Sequence, residues 1–212
     1  MEHNAKKLQI IEAAEELFAS KGFAGTSVRD IAQQADINVS MISYYFGSKE
    51  KLIEALFDVR LNQSRSQIEM ILQNEELTPH QKINIWIDSV LDQLMSSQSF
   101  HKIMMREQLS TERTPIISDH IMELKLRNVE LMTNLISEGQ KAGVFRENID
   151  MMLITTTLYG TINQAIATQE FLRKIHHMED MDDQEFQHFL KKKLSTHLKI
   201  IFKTIITNEI AD

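Results

Sequence analysis

An all-α fold is the expectation from this 212-residue chain, and three observations carry it. Only six Gly and two Pro punctuate the sequence. Leu, Ile, Met, Glu, Lys and Gln dominate, all of them good helix formers. No stretch alternates apolar and polar residues for long enough to make a useful strand. Hydrophobic residues at 42% supply a core, and charged residues at 25% are ordinary for a globular protein. The expected architecture is a small N-terminal domain over residues 1–50 and a larger helical bundle over 51–212.

The elements follow in order. From about Ala5 to Lys21, Ile10, Ala13, Ala14, Leu17 and Phe18 fall on one helical face. Lys21-Gly22 is a stop, because Gly tolerates the left-handed cap. A second helix begins near Thr26-Ser27, with Asp30 placed for a box-like cap and Val28, Ile31, Ala32 and Ala35 as its apolar set. The third covers Val39 to Phe46. Gly47-Ser48 then caps a fourth, which carries Leu52, Leu56 and Val59. Thr78-Pro79 starts a helix to about Ser97, Pro being favoured in the first turn. A short helix spans about Phe100–Leu109, and Thr114-Pro115 opens one that runs past Leu135 until Gly139 and Gly143. Asp150 opens a helix to about Leu172, and the last spans roughly Asp183 to Asn208.

Several function classes are excluded or disfavoured. With no Cys there is no disulfide framework, thiolate nucleophile or Cys-based zinc site. No run approaches the ~18 apolar residues of a membrane span, and the polar segment Met1 to Lys7 has no signal-peptide core behind it. A cytoplasmic protein without a membrane partner is expected. No phosphate loop, nucleophile elbow, HExxH or paired-carboxylate motif supports an enzyme, so no catalytic residue or cofactor is expected. Net charge is −7, and residues 1–60 hold seven Lys/Arg against nine Asp/Glu. Any nucleic-acid binding must therefore come from a local arrangement of cations, since affinity depends on where they sit.

One such arrangement is a helix-turn-helix. Ile31 and Ala32 supply the buried and small residues needed where two helices cross, and Ala35 faces inward. Asp36 sits at the turn, where Asp visits the left-handed region more easily than most residues. Ile37 and Ile42 pack the next helix back, and Asn38 precedes that helix as its N-cap.

The wider stretch is more specific. It contains Ile11-Glu12-Ala13-Ala14-Glu15-Glu16-Leu17-Phe18, then Lys21-Gly22-Phe23, then Thr26-Ser27-Val28-Arg29-Asp30-Ile31-Ala32, then Tyr44-Tyr45-Phe46-Gly47-Ser48-Lys49-Glu50-Lys51-Leu52. Over about residues 5–57 this resembles the DNA-binding domain of the TetR family of repressors. The resemblance implies an all-α homodimer that binds double-stranded palindromic operator DNA and releases it on binding a small-molecule effector. It implies DNA contacts at Ser27 and Arg29, the latter to phosphate or guanine. It places Asn38, Val39, Ser40 and Ser43 against base edges, with Met41 and Tyr44 bordering them, and makes Tyr45 and Lys49 phosphate contacts. Each has a plainer alternative. Arg29 pairs with Asp30 or Glu12, Lys49 is a solvated charge beside Glu50, and Tyr45, like Phe46, is core. With Val39 and Met41 where the family often has a small residue, Lys or Gln, bidentate base readout is limited to Asn38, and thymine-methyl and shape readout are expected.

Past residue 60 the likeness is one of helix number and length. Trp86, Phe100, Met104, Met105, Met122, Tyr159 and Asn163 are candidate effector-pocket residues, with Met95 and Met132 beside them, or else plain core. Thr155, Thr156, Thr157, Asn163 and Gln164 face either a partner or a pocket. Leu153, Thr157, Gly160 and Ala167, with Leu194, Leu198, Ile201 and Ile205, are spaced for a four-helix dimer bundle, although an internal helix gives the same pattern. The cluster from His176 to Asp183, with His188, is read as an acidic loop rather than a metal site, because adjacent ligands lack i, i+4 spacing. A regulator with no small-molecule ligand remains the main alternative.

Overall fold

The computed structural model describes residues 2–207, and the side chains of these except 2, 3, 61–69, 71, 72 and 96. Ten helices and no strands occur among the described residues: α1 Glu2–Lys21, α2 Val28–Gln34, α3 Val39–Phe46, α4 Lys49–Gln73, α5 Pro79–Ser96, α6 Gln98–Leu109, α7 Pro115–Lys141, α8 Met151–Ala167, α9 Gln169–Ile175 and α10 Asp183–Ile206. The all-α expectation holds. The chain forms two compact units, residues 1–63 with 97–126, and residues 64–96 with 127–212.

The first unit is built around α1. Its Ile10, Ala14 and Phe18 are buried with Ile31, Ala32, Ile42, Leu52 and Leu56 from α2, α3 and α4. Phe57 of α4 meets Phe100 of α6 edge to face at 4.9 Å and is stacked by His120 of α7 at 5.1 Å. Phe100 and Met104 are thus core of this unit. Glu107 is also buried, and its Oε1 accepts from the Thr114 backbone N–H at 2.7 Å and the Ser118 hydroxyl at 2.6 Å. That carboxylate satisfies donors that the start of α7 would otherwise leave open.

The second unit buries Trp86, Ile87 and Leu91 of α5 with Ile154, Leu158 and Ile162 of α8 and Phe186, Leu198 and Phe202 of α10. Side-chain caps set most of its helix starts. Thr78 and Gln81 cap α5 reciprocally, Asp150 accepts from the Leu153 N–H at 3.1 Å, and Asp182 accepts from the Gln184 N–H at 2.8 Å.

Three helix ends bear on expectation, and one of them differs from it. α7 passes through Gly139 and ends at Lys141, between the two glycines expected to stop it, and the φ of +71° at Gly143 lets the Val144 N–H reach the Gly139 carbonyl at 3.0 Å. Gly139 is small for another reason: a Cβ there would lie 1.9 Å from the Phe145 ring. The helix expected from Asp150 to Leu172 breaks at Thr168, whose hydroxyl bonds back to the Gln164 carbonyl at 2.8 Å, so α8 and α9 are separate. The last helix is assigned to Ile206, and the expected end near Asn208 lies outside the described residues.

Candidate DNA-binding surface

α2 and α3 form a helix-turn-helix whose caps are all explicit. The Ser27 hydroxyl accepts from the Asp30 N–H at 3.1 Å, while the Asp30 carboxylate accepts from the Ser27 N–H at 2.9 Å and its hydroxyl at 2.7 Å. These bonds, the Ser27 hydroxyl first, hold the Asp30 carboxyl below the usual range. α2 ends with the Asp36 N–H bonded to the Gln33 carbonyl and the Ile37 N–H to the Ala32 carbonyl. Asp36 takes φ 48° there, the left-handed position the turn requires. Asn38 then caps α3, its Oδ1 accepting from the Ser40 N–H at 2.9 Å and the Ser40 hydroxyl at 2.8 Å.

The phase of α3 sorts its side chains. Ile42 is buried, whereas Asn38, Val39, Ser40, Ser43 and Tyr44 are exposed, Tyr44 at 72%. Met41, Tyr45 and Phe46 are half-buried, and Tyr45 meets Tyr44 edge to face at 5.1 Å. The same unit exposes Arg29 and Ser27 on α2 and its cap. Arg29 makes no hydrogen bond or ion pair recorded among the described residues, so the alternative pairing with Asp30 or Glu12 is not adopted.

Charge is arranged locally, as a domain with excess acid requires. Glu15 is buried against Arg60, Asp30 is occupied by Ser27 with Lys21 4.0 Å away, and Glu16 accepts from the Gln34 amide at 3.0 Å. The Glu50 carboxyl is held low, first by its own backbone N–H and then by the Ser48 hydroxyl. Lys49 is placed otherwise than a solvated charge: its Nζ donates to the Phe23 and Thr26 carbonyls at 2.9 and 3.0 Å. Nothing in the residue pattern around Lys49 announced this, because the partners are backbone atoms 26 and 23 residues away.

The candidate pocket residues divide between the two units. Phe100, Met104, half-buried Met105 and Met122 belong to the first unit, and Met122 is 57% exposed. Trp86, Tyr159 and Asn163 belong to the second, as do buried Met95 and Met132. Trp86 Nε1 and Asn163 Oδ1 are buried without a hydrogen-bond partner among the described residues. The Tyr159 hydroxyl accepts from the Asn128 amide at 2.8 Å, and burial pushes its pKa up to about 12.

The faces proposed for pairing also divide. On α8, Leu153 is 57% exposed, Gly160 and Ala167 are exposed, and Thr157 is half-buried. On α10, Leu194 and Leu198 are buried inside their own unit, so the expectation that they face a partner is corrected; Ile201 and Ile205 are half-buried, and Ile200 is 61% exposed. In the His176–Asp183 segment, Arg173 ties the loop down through the Met181 carbonyl at 2.7 Å and Asp183 at 2.6 Å. No cluster of three potential metal ligands occurs among the described residues.

A capped helix-turn-helix with an outward polar face defines the class: a helix-turn-helix DNA-binding regulator. Comparison with known proteins gives the family. Residues 10–56 match the bacterial regulatory proteins of the tetR family, and residues 79–194, more than half the chain, match the tetracyclin repressor-like C-terminal domain. The protein belongs to the TetR family of transcriptional regulators. It is similar to the fatty acid metabolism regulator protein of Bacillus subtilis, at 26% identity over 77% of this chain and 82% of that one. It also resembles the transcriptional repressor NicS of Pseudomonas putida, at 30% identity over 66% of each. Among solved structures, FadR from Bacillus subtilis in complex with stearoyl-CoA shares the fold at TM-score 0.64 and 23% identity, covering 90% of this chain and 96% of that one. FadR from Bacillus halodurans does so at 0.66 and 24%, covering 92% and 94%.

Proposed function

We propose that this regulator is a cytoplasmic repressor that binds a palindromic operator as a homodimer and is released by a small-molecule effector. The observation that carries the DNA-reading part is the outward row Val39, Ser40, Ser43 and Tyr44 beside an uncommitted Arg29. Two such faces related by a twofold axis would enter successive major grooves, ~34 Å apart. Asn38 spends its Oδ1 on the cap, so only its amide N–H groups are left for DNA, and a bidentate grip on adenine is lost. Val39 and the edge of Met41 then read thymine methyls, with Tyr44, Tyr45 and Ser27 fixing register on the phosphates.

The effector is taken by the second unit, where the Trp86 indole N–H and the Asn163 carbonyl offer a donor and an acceptor in apolar surroundings. Each would be satisfied by a polar group on an otherwise apolar molecule, and leaving it unpaired is costly. The fatty-acid regulators among the relatives make stearoyl-CoA the first effector to test. Operators selected from random DNA should be bound by the dimer and released by the effector; selection of no sequence, or binding indifferent to every compound screened, would remove the corresponding half of this reading.

Arg29→Ala isolates the DNA contact. We expect about tenfold weaker operator binding and a salt slope shallower by about 1.8 for two phosphate contacts per dimer. Melting temperature and dimer mass should stay at their wild-type values. An unchanged affinity and slope would take Arg29 off the surface.

A further inference from the structure

We propose that Lys49 is a positioning residue that staples the two ends of the helix-turn-helix together, and that it does not hold a DNA phosphate. This rests on the DNA-binding reading above and assigns a different role to one of its residues. Lys49 is the first residue of α4, three past the end of α3, and Thr26 lies two before the start of α2. The bonds from Lys49 Nζ to the Thr26 and Phe23 carbonyls, at 3.0 and 2.9 Å, therefore close the whole α2–α3 hairpin into a ring.

The ammonium is well used where it is. Two of its three N–H groups meet backbone carbonyls, and it lies 4.2 Å from the centroid of the Phe23 ring, within cation–π range. Phe23 is in turn backed by Phe18 at 5.4 Å, a residue 1% exposed. Thr26 is buried, and its hydroxyl donates to the Gly22 carbonyl at 2.8 Å with the Leu17 carbonyl 3.2 Å away. The segment being stapled thus leads straight into Ser27, the cap of the helix that carries Arg29. Swinging the ammonium out to a phosphate would strip the carbonyls of buried Thr26 and half-buried Phe23 of a charged donor, and that loss opposes the gain at the phosphate.

The two roles differ in how they respond to salt. A phosphate contact releases a counterion and adds about 0.9 to the slope of log K against log salt, so the two in a dimer add about 1.8. A staple works through the geometry of α2 and adds nothing to that slope. The experiment titrates a selected operator with full-length protein across salt concentrations, using Lys49→Met, Lys49→Gln and Arg29→Ala. Lys49→Met keeps much of the stem over Phe23 but has no donor, whereas Gln is an uncharged donor.

The staple predicts about tenfold weaker binding for Lys49→Met at every salt concentration, with an unchanged slope and partial rescue by Lys49→Gln. Arg29→Ala, by contrast, should flatten the slope. Without DNA, amide exchange at residues 27–31 should speed up in Lys49→Met and recover in Lys49→Gln; this arm stands even where the Met variant melts too low for titration. A flattened slope in Lys49→Met with no rescue by Gln and unchanged exchange would overturn the proposal and restore a phosphate contact. Full affinity in both Lys49 variants would overturn it as well. Failure of the wild type to bind any selected DNA, with exchange behaving as predicted, would instead count against the DNA-binding reading alone.

Discussion

Gly160→Glu is expected to turn the proposed dimer into a folded monomer and to lower operator affinity by a factor of about 10²–10⁴, the range lost when two linked binding events become separate. The argument starts from a cost. A glycine in a helix interior is destabilising by roughly 0.5–1 kcal/mol relative to Ala, and Gly160 sits ten residues into the 17-residue α8. Within the chain nothing repays that cost, because a Cβ built at Gly160 meets no described atom within 4 Å. Gly139 is the contrasting case, since the Phe145 ring fills the space a side chain there would take. A bare backbone facing outward, flanked along α8 by exposed Leu153 and Ala167, suits close approach by a second copy. Glu at this position gains helix propensity and stays solvated in the monomer, but would bury an unpaired charge in the dimer. Native mass spectrometry, helicity and operator titration on the same sample check it. A dimer that persists at wild-type affinity would remove the α8 face from the interface.

Most of the fold was legible because its signals are local. The bounds of α3, Val39 to Phe46, follow from Asn38 and Gly47 alone, and Asp36 takes the positive φ its place in the turn demands. Capping chemistry of this kind depends on neighbours within three or four residues. What escaped was decided by packing against distant elements or by a side chain's choice of partner. Leu194 and Leu198 carry the same spacing whether they face a partner or their own core, and only packing against α5 and α8 settles that they are internal. The break at Thr168 depends on a hydroxyl's choice between solvent and the carbonyl one turn back. Of the proposed DNA contacts, the exposed row of α3 follows from helical phase and the capping role of Asn38 from its place before that helix, whereas the commitment of the Lys49 ammonium follows from backbone partners that residue identity does not name. The candidate pocket suffered most. Met and aromatic residues at helical spacing mark buried faces in general, so the set fell across both units.

Arg60→Met should destabilise the first unit by about 1.5–3 kcal/mol, the range for losing a hydrogen bond to a charged group. Glu15 of α1 is only 4% exposed, and Arg60 of α4 brings Nε and a terminal nitrogen to the same carboxylate oxygen at 2.8 and 2.6 Å. Met fills a similar volume, so the loss is electrostatic: a carboxylate remains in apolar surroundings with its cation gone. Glu15→Leu in the same chain removes the stranded charge and should recover most of the stability, because paired replacement of a buried salt bridge by apolar residues is often neutral or favourable. The cycle separates a charge effect from a packing effect, and thermal and denaturant melts of the four proteins measure it. A wild-type melting point in Arg60→Met, or a double variant no better than the single, would show that the pair is not what fastens the helices. The consequence reaches function through α4, which is bound to the reading module at its first residue by Lys49 and again at Arg60. In Arg60→Met one fastening is gone, so binding to a selected operator should weaken as well, which an operator titration reads directly.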